Sequence, residues 1–542
     1  MGNNRGKAQQ KARMPTADAG VMISSRKMIK ALNTGYDEGG ASTSKGSLKS
    51  WQPSSSSPQS DIDANSKLLI ARSRSLHMTN PLANSAIMTS RTNVIGAGLR
   101  LRSRIDYSIL GLEPEDAKAW QRKTEKEFHL WANSKFCDLH KKNNFYDMQD
   151  IAYVGYLLNG DSWVALKYRK PLPNMPYMLR LQLFEADRVC NPDSAVFGGM
   201  TLLSVQAKNP NNGNRILNGV EIDEDGAVVA YWICNRHLYD PTNMMQPAKW
   251  ARVEAFGKDT GQPNILQICH DERPEQYRGV PYLAPVIEAF KQVGRYTEAE
   301  LTAAIIKAFF TLFFEQQNGN DLGFDPVTEA LSPEEKVSLN ASEFELGPGS
   351  MNVLPPGFSV KSIDASRTLS TFEPFTNSII KQIASCLEQP YEVLLKAFNS
   401  SYSASRAALL QGWAAYKIRR VWFTRDFNQP IYESWLAEAI AIGRIDAPGF
   451  FDDPLIRLAW CGAEWYGPVM GVIDPVKEAQ GANLRIQLGL STAEKEAAEM
   501  TGTNFDDNIQ VRGMELRDMQ AAGVINQPIT TIIQKGGKDD DE

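Results

Sequence analysis

Enzymes and metalloproteins gather nucleophiles, bases or ligands in one place, so the side chains that can play these parts come first. The five histidines form no H-E-x-x-H motif and no close pair, so a metal hydrolase would need ligands from distant segments. They are His77, His129, His140, His237 and His270. A lone histidine is more often a structural residue than a ligand. The histidine pattern therefore favours no metal centre.

Phosphate-binding loops are also missing from the sequence. There is no G-x-x-x-x-G-K-[ST] loop of a packaging ATPase, and the nearest stretch, Gly257–Asp259, fails on its spacing and its last residue. Gly96–Gly98 lacks the third glycine of a dinucleotide-binding loop and leads into a strand-like run. We therefore predict no nucleotide-driven chemistry and no nucleotide cofactor.

Two acidic clusters could in principle bind a divalent cation. Asp223–Asp225 precedes Gly226 in a turn-like stretch, and Glu113–Asp116 surrounds a proline that is typical of a helix start. Acidic side chains are favoured at both kinds of position without any metal. The clusters are therefore better explained as a turn and a helix N-terminus.

The six cysteines lie far apart and include no C-x-x-C pair, which is typical of reduced, mostly buried thiols. They are Cys137, Cys190, Cys234, Cys269, Cys386 and Cys461. With the missing motifs above, this pattern predicts no catalytic residue, no cofactor and no bound metal.

Length and composition set the scale of the protein. A chain of 542 residues is too long for one hydrophobic core, so we expect several domains or an elongated subunit. Its formal net charge of -5 excludes a strongly basic nucleic-acid clamp. The longest apolar run, Leu301–Phe314, is short and contains Lys307, so the sequence predicts no membrane span and a protein made in the cytoplasm.

The elements that would position a site begin with residues 1–60, which are basic at first and then rich in serine. Such a segment is predicted to be a flexible arm, because it buries too little apolar surface to offset its ordering entropy. Apolar spacing then predicts helices over 68–87, 114–131 and 148–158. Alternating patterns predict strands at Ser162–Tyr168, Met178–Phe184, Gly219–Ile222 and Ala227–Cys234, the last two joined by a hairpin turn.

A different pattern follows this α/β body. Pro285–Phe314 predicts a helix about 45 Å long. Residues 315–369 are rich in turns and predict a small α/β insertion with a hairpin at Met351–Val360. Ser370 and Glu373 form a capping box that predicts a returning helix to about residue 388.

The rest of the chain is predicted to be largely helical. A polar loop, Asn399–Ser403, precedes a long helix predicted over Ala404–Phe427. Asp474-Pro475 and the pair Ser491 with Glu494 predict two further helix starts. The last residues, Lys538–Glu542, predict a solvated acidic tail.

Several separate segments, taken in order, resemble the lambda-type portal family of tailed phages. The most specific is Tyr277–Ile287, which is similar to that family's R-G-[VI]-[SP]-x-L-A-P run. One segment, Ser401–Ala408, departs from the family's pattern, because Ala404 stands where a second serine is usual. Over roughly residues 61–520, the similar segments are Asn80-Pro81, Asn93–Leu99, Phe128–Ala132, Leu158–Asp161, Gly219–Asp223, Tyr277–Ile287, Pro390–Leu394, Ser401–Ala408 and Asp474–Ala479.

This resemblance implies an α+β portal fold with a mixed α/β wing, a helical stem, a small α/β clip and a helical crown. The implied boundaries, after the arm 1–60, are wing 61–283, stem helices 284–314 and 370–390, clip 315–369, tunnel-loop region 391–405, long helix and wing return 406–474, crown 475–530 and acidic tail 531–542.

The resemblance also implies a channel through which double-stranded DNA passes without sequence reading. Stem charges and the polar loop are the residues expected to line it, namely Lys291, Arg295, Lys307, Lys381, Asn399, Ser400, Ser401, Tyr402 and Ser403. The four charged residues could equally form ion pairs between helices, and the loop could be a plain connection with Tyr402 packed against a neighbouring subunit.

A portal of this kind implies a homo-oligomeric, dodecameric ring at one capsid vertex of the virion. Its implied partners are its own copies, DNA, terminase, the major capsid protein, and head-completion or tail adaptor proteins, with no membrane. The competing hypotheses are a head-morphogenesis or scaffolding protein and, with less support, a hydrolase or nuclease without a recognisable motif. The sequence therefore predicts a structural protein rather than an enzyme.

Overall fold

The computed structural model describes residues 42, 45–192, 206–238, 240–243, 247–308, 312–316, 358–362, 372–398, 401–470 and 475–524. Two compact units are present, residues 1–57 and 58–542. In the first, a turn at Lys45–Trp51 is closed by bonds from the amides of Lys49 and Trp51 to the carbonyls of Lys45 and Leu48. The predicted arm otherwise lies largely outside the described residues.

The second unit combines helices and strands, which confirms the predicted α+β class. The helices are α1 Pro58–Asp63, α2 Ser66–Thr79, α3 Pro81–Val94, α4 Tyr107–Leu110, α5 Pro114–Ala132, α6 Phe145–Asn159, α7 Ile287–Ala308, α8 Phe372–Cys386, α9 Tyr391–Leu395, α10 Tyr402–Phe423, α11 Gln429–Ala441, α12 Pro454–Trp460, α13 Pro475–Gln487, α14 Ala493–Thr501 and α15 Phe505–Ala521. The strands are β1 Arg100–Ser103, β2 Asp161–Tyr168, β3 Leu179–Phe184, β4 Gln206–Lys208, β5 Arg215–Leu217, β6 Val220–Ile222, β7 Val228–Cys234, β8 Trp250–Glu254, β9 Ile265–Cys269, β10 Leu312–Gln316, β11 Phe358–Ser362 and β12 Ala463–Tyr466.

The main core is built around aromatic side chains of α5, α6 and α11. The ring of Phe128 lies 5.1 Å from that of Trp435 and 5.5 Å from that of Phe145, both edge-on. Each of these three residues is less than 2% exposed. Edge-to-face pairs add about 1 kcal/mol to the burial of the rings. This cluster therefore fixes the framework on which the remaining elements pack.

Strand β2 joins the main core to a smaller second core. It lies between β3 and β9 in a three-stranded antiparallel sheet. Because side chains alternate along a strand, Val164 faces the main core, while Trp163 faces the second core and lies 4.9 Å from Tyr231 of β7. The five-stranded sheet β4-β5-β6-β7-β8 is thereby attached to the body.

Most predicted elements of this body are confirmed within a few residues. The predicted turn between β6 and β7 is present, and the Asp223 carboxylate accepts bonds from the amides of Asp225 and Ala227. The acidic cluster there thus closes a turn, as predicted. Four cysteines are buried, Cys269 is partly exposed and Cys386 is exposed, and all six are free thiols.

The predicted helix Pro285–Phe314 is wrong at its C-terminal end. A 3₁₀ turn, Ala284–Val286, leads into α7, whose described part ends at Ala308, and Leu312–Gln316 forms β10. Its partner is β11, with Phe314 opposite Val360. Aromatic and β-branched residues favour strands, and the partner lies more than forty residues away, so helical spacing alone could not reveal this pairing. The first half of the predicted hairpin Met351–Val360, and Ser370 of the predicted capping box, lie outside the described residues.

Two helix starts also differ from the prediction. Helix α10 begins at Tyr402 rather than Ala404, because the Ser401 hydroxyl accepts a bond from the Ala404 amide at 3.4 Å and caps the helix. Helix α14 is capped by Thr492 rather than Ser491, with 3.2 Å between its hydroxyl and the Lys495 amide. The Asp474 cap and the acidic tail 531–542 lie outside the described residues.

Two features are absent from the described residues. No helix in these ranges is both long and apolar enough to cross a membrane. Likewise, no three His, Cys, Asp or Glu side chains in the described part of the chain come together as a metal site.

Candidate functional site

Helices α7 and α8 hold the charged residues that the sequence singles out. The two helices pack through aromatic rings, with Tyr296 at 5.4 Å from Phe372 and 5.1 Å from Phe375. Lys291 and Arg295 lie one turn apart on α7 and are both exposed. Among the described residues, neither has a carboxylate within 4.0 Å, so the structure gives these two no ion pair. They remain available to a negatively charged partner.

The other two predicted stem charges differ from this pair. Lys381 is exposed on α8, and its Nζ lies 5.1 Å from the ring of Tyr391 in a cation–π contact. Lys307 belongs to the last turn of α7, and its side chain lies outside the described part. The structure therefore brings Lys381 to an aromatic ring.

The predicted polar loop is shorter than expected. Ser401 is the N-cap of α10, and Tyr402 and Ser403 belong to its first turn. Asn399 and Ser400 lie outside the described residues, as does the side chain of Tyr402. Of the five predicted loop residues, three thus mark the start of a 22-residue helix.

A buried ion pair joins two of the segments that the sequence analysis singles out. The Arg278 Nε lies 2.5 Å from Oδ2 of Asp161, and Arg278 also donates to the carbonyls of Val189, Asn218 and Ala186. Arg278 is 4% exposed and Asp161 is 1% exposed. Burial disfavours the charge of Arg278, but Asp161 outweighs burial and raises the arginine pKa. The arginine therefore stays charged inside the body.

The backbone beside this ion pair requires two glycines. Gly160 ends α6 with φ of +90°, a conformation that side chains disfavour. A Cβ on Gly279 would lie 1.8 Å from the Gly160 carbonyl oxygen. The Leu158–Asp161 and Tyr277–Ile287 segments are thus in direct backbone contact, which explains their residue types.

A second polar cluster lies where α7, α8 and α10 meet. Arg419 of α10 donates to the Tyr282 hydroxyl at 3.0 Å, to the Leu387 carbonyl at 3.1 Å and to the Glu388 carboxylate at 3.0 Å. The Tyr282 hydroxyl donates to the same Leu387 carbonyl. Gln389 connects this cluster to α3 through the Ala86 carbonyl, 2.8 Å from its Nε2. We call Tyr282, Leu387, Glu388, Gln389 and Arg419 the junction.

Four residues of the junction line a cavity of about 1290 Å³, namely Tyr282, Glu388, Gln389 and Arg419. Its lining mixes aromatic, charged and amide groups, including Trp422, Lys381, Glu272 and Gln411. Burial raises the pKa of Tyr282, so its hydroxyl stays protonated at neutral pH and can donate.

Sequence reasoning missed the junction. It identified Tyr282 and Pro390–Leu394 as parts of similar segments without giving them a shared role. Arg419 and Arg420 are adjacent in a helix that is rich in alanine and aromatic residues. Neighbouring side chains of a helix point in different directions, so in a helix that packs on several sides they cannot both reach solvent. That pair was the available signal, but their partners lie in distant segments.

Comparison with known proteins gives consistent findings. The family model described as phage portal protein, lambda family, matches residues 44–420, which is more than half of the chain. Portal protein B of Escherichia phage lambda is 26% identical over 506 residues, covering 90% of this chain and 91% of that protein. The portal protein of Escherichia phage N15 is 26% identical over 510 residues, covering 91% and 92%.

Solved structures give weaker likenesses. One chain of the neck of a native gene transfer agent particle, computed with C12 symmetry, has a TM-score of 0.39 and 13% identity over 79% of this chain and 92% of that one. The crystal structure of an HK97 family phage portal protein from Corynebacterium diphtheriae has a TM-score of 0.29 and 11% identity, covering 62% and 83%.

Proposed function

This chain belongs to the lambda family of phage portal proteins, and we propose that it forms a dodecameric ring at one capsid vertex, through which double-stranded DNA enters and leaves the head. Portal proteins are structural components of the virion, so the prediction that the chain is not an enzyme is confirmed by its family. The ring size, the DNA path and the partners below are parts of the proposal.

One observation carries the proposal most strongly. Helix α7 is followed by β10, and β11 precedes α8, while β10 and β11 pair antiparallel. The chain therefore leaves one of two packed helices and returns to the other through paired strands. This order supports two stem segments, 284–314 with helix α7 and 370–390 with helix α8, that flank a clip at 315–369.

The other assignments extend from this frame. We assign the body at 61–283 to the wing, with 406–474 as the long helix and wing return, and 475–530 to the crown. The tunnel-loop region is 391–405. Lys291 and Arg295 on α7 are exposed and have no ion partner among the described residues. Such charges suit contacts with a phosphate backbone, which carry no sequence information. Lys307, Lys381 and the residues Asn399, Ser400, Ser401, Tyr402 and Ser403 complete the proposed channel lining.

Docking partners follow from the proposed ring. The clip would bind terminase during packaging and head-completion or tail adaptor proteins afterwards, and the wing would contact the major capsid protein. A net charge of -5 suits a channel that must let DNA slide rather than hold it.

Ring formation is tested first. Light scattering after size exclusion, with negative-stain electron microscopy, should give particles of about twelve subunits with a central hole. A monomer at all concentrations, or a solid particle, would contradict the proposal.

Clip docking needs a separate test. Deleting Met351–Gly357, which leaves β11 intact, should leave the subunit folded and the ring assembled but abolish DNA packaging, because the deleted segment is assigned to the terminase-binding end. Normal packaged DNA per head in this variant would show that the clip is assigned wrongly.

A further inference from the structure

Two adjacent arginines of α10 make contacts with different parts of the subunit. Arg419 contacts Tyr282, Leu387 and Glu388, all next to the ends of α7 and α8. Arg420 donates instead to backbone carbonyls of the body, those of Val94 at 3.0 Å and of Asn93 and Pro468 at 2.8 Å. One helix is thus attached to the stem helices and to the wing through neighbouring residues.

The Arg419 guanidinium makes both hydrogen bonds and a cation–π contact. Its guanidinium lies 4.7 Å from the centre of the Tyr282 ring, in addition to the hydrogen bonds of the junction. The Arg419 side chain is 13% exposed, whereas Glu388 is 68% exposed. The planar fork of arginine can bind a hydroxyl, a carbonyl and a carboxylate at once, which the single ammonium of lysine cannot do. The geometry is therefore specific to arginine.

Backbone strain occurs at the same place. Glu388 follows α8 with φ of +53°, an unfavourable conformation for a residue with a side chain. The Glu388 carboxylate is held by Arg419, and the Gln389 amide donates to the Ala384 carbonyl at 3.0 Å. The end of α8 is therefore fixed in a conformation that α10 helps to hold.

The electrostatics of the two arginines also differ. Burial lowers the pKa of Arg420 to about 10, because its partners are neutral carbonyls. Burial acts on Arg419 in the same direction, but its interactions with Tyr282, Tyr153 and Glu388 together outweigh burial and raise its pKa. Arg419 is thus bound by partners that favour its charge, and Arg420 by partners that only accept hydrogen bonds.

We propose that Arg419 is a positioning residue that couples α10 to the two stem helices. The inference rests on the proposed function, in which the N-terminus of α10 at Ser401 lies beside the DNA channel. When DNA displaces this end, the displacement passes through Arg419 to Tyr282 and to the end of α8. The cavity beside the junction leaves room for such a movement. Arg420 keeps the same helix attached to the wing.

Hydrogen exchange of full-length rings tests this coupling. Arg419→Met should raise the exchange rates of amides at 282–290 and 387–395 about tenfold, since the lost contacts are worth about 1.4 kcal/mol in local opening. Arg419→Lys should give a smaller increase, because lysine restores the charge but not the fork. Packaged DNA per assembled head should fall for Arg419→Met.

Arg420→Met is the matched control, one residue away on the same helix. It should speed exchange at 93–99 and 467–470 and leave 282–290 and 387–395 within about twofold of wild type. Equal effects of Arg419→Met and Arg420→Met at the stem segments would overturn the proposal, as would unchanged exchange in Arg419→Met. If the wild-type chain forms no ring, the proposed function fails, whereas the exchange comparison in the unassembled chain still tests the coupling.

Discussion

The α/β body and the three C-terminal helices bury their apolar side chains to very different extents. In the body, α6 buries eight of its 15 residues, among them Phe145, Tyr153 and Leu157. In contrast, α15 has no buried residue along its 17 positions. Even its apolar side chains Ile509 and Met514 are each more than 50% exposed. A helix of this length gains most of its stability from packing. The body is therefore complete in one subunit, and α15 is not.

The C-terminal helices are attached to the body by polar contacts. Glu494 of α14 lies 2.6 Å from Arg102 and 2.9 Å from Arg104, and Asp506 of α15 lies 3.3 Å from Arg122. The pairs of Arg104 and Arg122 are partly exposed and therefore worth little each, whereas Arg102 is buried. An apolar surface held in place by charges is suited to contact with a neighbouring subunit in a ring.

The largest effect is expected from the buried pair of the body. Arg278→Met breaks this buried pair and leaves the Asp161 carboxyl group without its arginine, which should lower the free energy of unfolding by roughly 3–5 kcal/mol. Urea unfolding of the two proteins measures the difference. The exposed pair Arg273–Asp61 is the control, and Arg273→Met should cost less than about 1 kcal/mol. Similar losses in both variants would mean that burial of the pair does not decide its value.

Acid sensitivity should also originate in the body. Burial alone would raise the pKa of Glu221, but bonds from Arg252, Asn212, Trp232 and Asn209 outweigh burial and lower it to about 2. A depressed pKa stabilises the fold above pH 4.5, and this stabilisation of about 3 kcal/mol should disappear as the pH falls from 4.5 towards 2.

Glu221→Gln provides the comparison for this pH effect. It should be less stable than wild type at pH 6, and its stability should depend less on pH below 4.5, because the titrating group is gone. Parallel stability curves for the two proteins across this range would contradict the assignment.

A smaller effect on stability is expected in α15. Ile509→Ser with Met514→Ser should change the free energy of unfolding of the isolated subunit by less than about 0.5 kcal/mol, since both side chains are exposed. The same variant should assemble poorly, as measured by light scattering. Asp518→Ser on the same helix is the control and should assemble normally. Normal rings from the double variant would show that this face of α15 is not an interface.

Adding one carbon atom to a glycine should have opposite effects in the two regions. A Cβ at Gly513 in α15 meets nothing within 4 Å, so Gly513→Ala should stabilise the helix by up to about 1 kcal/mol. The same change at Gly279 places the Cβ against the Gly160 carbonyl and should destabilise the body strongly. Circular dichroism during thermal unfolding distinguishes the two signs. A destabilising Gly513→Ala in the isolated subunit would mean that α15 is already packed there.

The sequence by itself determined the local elements of this protein. Strand β2, the turn closed by Asp223 and helices α5 and α6 follow from patterns of neighbouring residues, whose periods of two and 3.6 are set by the backbone. The similar segments, taken in order, also predicted the family correctly. The free cysteines and the acidic turn needed no tertiary information.

Tertiary structure decided what lies between distant segments. Helical spacing could not predict that α7 ends before Leu312, because the strand that pairs with Leu312–Gln316 lies at Phe358–Ser362. Nor could it pair Arg278 with Asp161, 117 positions away, or Arg419 with Tyr282, 137 positions away. The hydrogen-bond partners of a buried guanidinium depend on how distant elements pack against each other. A local sequence pattern indicates only which face of an element is apolar.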